Sequence, residues 1–130
     1  MEDVLSVYAQ AYDPAYPQVC LDEKLVTLHA DVVESLPVQP GRPARLDYEY
    51  ERLGTANLFV MVEALAGYRH VAVTERRTAV DYARQLHWLA EVRYPQAKKI
   101  RLVQDNLNIH RLANLYLVFP PEEARRLAER

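Results

Sequence analysis

With one cysteine, one tryptophan, two phenylalanines and three glycines in 130 residues, the chain leaves several functional classes without their usual parts. Cys20 alone cannot close an intrachain disulfide, and between Val19 and Leu21 it reads as a small buried hydrophobe in a reducing compartment. The glycines stand singly at 41, 54 and 67, so neither a phosphate loop nor a dinucleotide fingerprint can be drawn. Ser6 and Ser35 fall outside the expected strand ends, which leaves a Ser-His-Asp nucleophile set unsupported. His29, His70 and His87 lack metal-ligand spacing and flanking cysteines, which argues against zinc. No apolar run approaches the roughly 18 residues of a membrane span, and Met1-Glu2-Asp3 lacks the basic flank of a signal peptide. The expectation is a soluble, cytoplasmic protein.

Half of the residues are hydrophobic, enough for the core of one domain over 1–130. The net charge of −2 is unlike that of a general polyanion binder, but it is unevenly spread. Residues 1–34 hold one basic and seven acidic groups, whereas residues 69–101 hold eight basic and three acidic. A basic side beside an acidic pocket suits an enzyme acting on DNA; solvated helix faces give the same counts.

Residues 2–11 read as a short helix ended by Asp13-Pro14 and Pro17. Val19 to Leu28 reads as a strand, with Asp22 alternating onto the face of Cys20 and Lys24. Residues 34–55, punctuated by Pro37, Pro40, Gly41 and Pro43, read as a long excursion. Ala56–Ala64 reads as a central strand that turns at Gly67 into an antiparallel partner, Arg69–Thr74. Thr78 and Asp81 open a helix carrying Tyr82, Ala83, Leu86 and Leu89 on its buried stripe, and Pro95 stops it. Trp88 flanks that stripe as packing. Lys98–Gln104 reads as the fourth strand, His110–Phe119 as helical, and Pro121 starts a last helix.

Asp22 and Asp105 close apolar runs 83 residues apart (105 − 22). On neighbouring strands they would meet at the rim of one sheet, where two carboxylates are costly without a divalent cation between them. Either aspartate alone could simply end a strand; the strand order, with Glu23 and Asn106 beside them, favours the metal. Glu23 points away from Asp22 by strand alternation and, at most, supports the ligands from behind. Asn106 and His110 could orient Asp105 or approach DNA, and His110 reads equally well as a surface residue.

Leu21-Asp22-Glu23-Lys24, Asp105-Asn106-x-x-x-His110 and the run Tyr48 to Phe59 resemble the DDE transposases, in the branch of bacterial insertion sequences related to mariner. The resemblance implies a ribonuclease-H-like mixed α/β sheet with flanking helices. It implies Asp22 and Asp105 as catalytic magnesium or manganese ligands, DNA cleavage and transfer at transposon ends, and action as a homodimer. It also implies a clamp-like loop at 34–55, with Lys24, Arg42 and Arg45 as candidate DNA contacts. The amino-terminal helix-turn-helix, the fifth strand and the third acid of that family are not matched, and Glu122, Glu123 and Glu129 lie in a different element. The expectation is therefore a partial catalytic domain, inactive alone. The alternatives are a dimerising fragment that regulates a full-length copy and a small nuclease completed by Glu122 or Glu123. An uncovered fourth strand suggests pairing between copies through residues 98–105, or an exchanged segment there.

Overall fold

A computed structural model describes residues 2–45 and 48–130. Helix α1 spans Glu2–Tyr8, and the strands are β1 (Gln18–Asp31), β2 (Tyr50–Glu63), β3 (Tyr68–Thr74) and β4 (Arg101–Val103). Helix α2 (Ala79–Trp88) runs on into a wider π turn over Leu89–Arg93, and α3 covers Pro121–Ala128. The sheet order is β3-β2-β1-β4, antiparallel across β3, β2 and β1 and parallel between β1 and β4. This mixed sheet with flanking helices is compatible with the ribonuclease-H-like class.

Alternation decides what each strand buries. Val19 and Leu21 of β1, with Phe59 and Met61 of β2, face Tyr82, Leu89 and Tyr94 in the main core. A second cluster joins Ala83 and Ala90 to Leu115, Ala124 and Leu127, fixing α3 and the 3-10 segment Leu112–Leu117 behind α2. Cys20 falls on the other face of β1 and is only half-buried, with Tyr8 Oη 3.2 Å from its sulfur. The expected burial of this thiol is corrected by its parity.

The hairpin between β2 and β3 forms as the pattern predicts. Gly67 supplies the left-handed turn, φ 64°, and its N–H donates to the Ala64 carbonyl. At Thr78 the capping box is complete: its hydroxyl accepts from the Asp81 N–H, while the Asp81 carboxylate accepts from the Thr78 N–H.

Three expectations need correction. The excursion is shorter than 34–55, because Tyr50–Thr55 pairs with β1 and extends β2; of the segment Asp47–Arg52, Asp47 lies outside the described residues. Leu53 is the extra residue of a bulge opposite Leu28/His29, beside Gly54 at φ 121°. What remains of the excursion is tied by bridges Leu36–Arg45 and Gln39–Arg42. The expected helix from His110 is instead a 3-10 turn beginning at Leu112.

The third correction concerns β4, which is three residues long rather than seven. The preceding Lys98 and Lys99 N–H groups donate to the Ala15 carbonyl, outside the ladder, and the Ile100 N–H donates to the Arg130 carbonyl at 2.6 Å. The Arg130 guanidinium also donates to the carbonyls of Tyr94, Pro95 and Ala97 and to Glu91. It thereby ties α3 to the loop feeding β4. Arg130→Ala is expected to lower stability by about 2 kcal/mol, read as a lower urea midpoint at unchanged slope.

Candidate metal site

The parallel register between β1 and β4 pairs Gln18 with Arg101, Val19 with Leu102 and Cys20 with Val103, an offset of 83 residues (103 − 20). Asp22 and Asp105 have the same separation. Carried two residues past its last pair, this offset would bring Asp22, within β1, opposite Asp105, just beyond the carboxyl end of β4, the end at which open sheets bind their ligands. Asp22 is exposed, and its Oδ1 accepts the N–H of Glu23 at 2.9 Å. Asp105 lies two residues beyond β4 with its side chain 63% exposed; its Oδ1 accepts the Leu107 N–H at 3.0 Å, which holds the loop in a tight turn.

Behind this rim, Glu23 continues the core parity of Val19 and Leu21. Its carboxylate is carried inward, where an unpaired charge would be costly. His110 meets it there: Nε2 donates to Glu23 Oε1 at 2.7 Å, and Nδ1 lies 2.9 Å from Asp105 Oδ1 and 3.0 Å from the Asp105 carbonyl. The side chains of His110 and Glu23 are 1% and 2% exposed, so the surface reading of His110 is overturned. Burial works against the imidazolium. The hydrogen bonds to the Asp105 backbone and the Glu23 carboxylate outweigh it and hold the His110 pKa above the ordinary histidine value. An imidazolium donating from both nitrogens matches these acceptors.

Glu23, Asp105 and His110 each offer a ligand atom within 4.8 Å of the others, so the group could hold a metal ion. Both nitrogens of His110 already face carboxylates at hydrogen-bond distance. This makes the ring more convincing as a strut that aims Asp105 than as a ligand. Asp22 is outside that group, and Asn106 is exposed. Lys24 is exposed on the Asp22 side of β1, while Arg42 and Arg45 line a concavity of about 520 Å³ within the excursion. Glu123 pairs with His87 and Glu129 with Arg125, and among the described residues neither belongs to the metal-capable group.

A family model described as DDE superfamily endonuclease matches residues 17–127. The chain belongs to this superfamily. No curated protein and no solved structure matches it. In a DDE endonuclease the substrate is DNA and the usual helper is a divalent metal, and the acidic rim fits such an ion on its own chemistry. Its donors are carboxylate oxygens, hard ligands that magnesium and manganese prefer, and Asp105 is already oriented by a backbone N–H and an imidazole.

The sequence reading missed the buried Glu23–His110 pair. One signal for it was present: the alternation that puts Asp22 outside puts Glu23 inside, and an inward carboxylate demands a donor. No helix among the described residues is long and apolar enough to cross a membrane.

Proposed function

We propose that this chain is the catalytic domain of a DDE transposase of the mariner-related insertion-sequence kind, with Asp22 and Asp105 as the metal-holding carboxylates. The observation that supports the reading is the parallel pairing of β1 with β4 at an offset of 83 residues, the same as the separation of the two acids. Bound there, magnesium or manganese supplies an activated oxygen nucleophile and charge stabilisation for in-line phosphoryl transfer at a DNA strand. The chain's own part is to hold the two carboxylates at the rim, to aim Asp105 through His110 and Glu23, and to meet the phosphate backbone with Lys24, Arg42 and Arg45. Two of the three acids of this chemistry are assigned within these 130 residues, so cleavage by the chain alone is expected to be weak or nil.

A second reading has its own support. Beyond the sheet, the β1–β2 ribbon and its excursion expose Leu25, Leu28, Val32, Val33, Leu36, Val38 and Leu53, a large apolar surface for two strands with no layer behind them. A clamp that docks on a second copy would cover it, giving a homodimer that acts on paired DNA ends or regulates a full-length copy. One assay separates the readings. Manganese-dependent nicking of supercoiled plasmid that disappears in Asp22→Ala and Asp105→Ala supports the enzyme, whereas subunit exchange with a full-length relative without nicking supports the regulator.

A further inference from the structure

Tyr82, on the first turn of α2, is 1% exposed and is among the largest fully buried side chains. Its hydroxyl donates to Gln104 Oε1 at 2.9 Å, and Gln104 directly precedes Asp105. Its ring lies 4.9 Å from the ring of His110, centroid to centroid, at a tilt of 35°. One side chain of the helix layer thus touches both flanks of Asp105: the residue before it and the imidazole behind it. Packing alone does not fix Gln104. The ladder between β1 and β4 has ended at Val103, and Gln104 lines a cavity of about 320 Å³ with Leu102, Leu112 and Leu115. A glutamine beside open space, past the last paired residue, is held by whatever hydrogen bond it makes.

We propose that Tyr82 is a positioning residue for Asp105, fixing the backbone before it through Gln104 and backing the imidazole that aims its carboxylate. The inference rests on the reading of Asp105 as a metal ligand. Burial raises the Tyr82 pKa, which keeps the phenol a donor across the working pH range. Tyr82→Phe keeps the ring and the core volume and removes the anchor. By analogy with outer-shell partners of metal ligands, the effect falls on metal affinity more than on folding.

The test is manganese affinity of the whole chain, followed by water-proton relaxation, with circular dichroism as the control for fold. Manganese binding by the wild type that is lost in Asp105→Ala secures the underlying reading. Tyr82→Phe is then expected to bind about three- to tenfold more weakly with its dichroism unchanged. The double variant Tyr82→Phe/Gln104→Leu strands no polar group; it is expected to stay weak, because the anchor is still missing. Gln104→Leu alone, which leaves Tyr82 in place, is expected to weaken binding to a similar degree, testing the bond from its other end. Wild-type affinity in Tyr82→Phe, or recovery in the double variant, overturns the proposal while leaving the metal reading intact. A wild type that binds no manganese, or an Asp105→Ala variant that binds it as well as wild type, overturns both.

Discussion

His110→Ala is expected to destabilise the protein by about 3 kcal/mol at pH 6, because it leaves the inward carboxylate of Glu23 buried without its partner. The same change on the surface would cost a few tenths of a kcal/mol; burial of both side chains makes the difference. The effect depends on pH with a definite sign. The pKa of His110 is raised in the folded protein, so its ionic contribution is fully present below the ordinary histidine value of about 6.5 and is lost as pH rises through the folded value. The gap between wild type and variant should therefore be widest near pH 6 and narrow toward alkaline pH. It should not close, because a neutral ring still donates one hydrogen bond. Urea unfolding in the presence of a chelator, run across this range, measures the gap; a constant difference would mean that the imidazolium has no special role.

Much of the framework was legible because it depends on local rules. The hairpin around Gly67, the capping box at Thr78 and the position of Asp22 within a strand follow from turn chemistry and alternation, whereas the adjacency of the first and fourth strands came with the resemblance to the ribonuclease-H-like order. The extent of β2 was not legible, since Tyr50–Thr55 has no sustained apolar period and is a strand only because it pairs with the far half of β1. The short β4 was not legible either. Lys98 to Gln104 has strand composition throughout, but tertiary hydrogen bonds to Ala15 and Arg130 take its first part out of the ladder. At the site, a separation of 83 residues between two acids could be read directly, whereas the meaning of His110 could not. Whether a histidine five residues past an aspartate faces water or a buried glutamate is decided by the path of the loop between them.

Asp105→Ala is expected to lower manganese affinity by at least about a hundredfold, because on the proposed reading it removes a metal ligand rather than a group that supports one. Glu23→Gln, which keeps the side-chain volume but removes the charge facing His110, should fall within the range of about ten- to a hundredfold seen for supporting partners. The order of these two variants carries the argument. The group formed by Glu23, Asp105 and His110 allows an alternative in which Glu23 is itself a ligand, and Glu23→Gln would then be as damaging as Asp105→Ala. Asp22→Ala separates the two cases from the other side: it should match Asp105→Ala if the two aspartates share the ion and match wild type if they do not. Titration of all three variants by manganese relaxation gives the ranking.

Locating manganese directly by its anomalous scattering in crystals soaked with the ion is the sharpest test. The account predicts one peak between Asp22 of β1 and the carboxyl end of β4, about 2.1 Å from oxygens of both Asp22 and Asp105, with the His110 nitrogens still hydrogen-bonded behind it. A peak coordinated by Glu23 and His110 with Asp22 out of reach, or no peak at the rim at all, would contradict it.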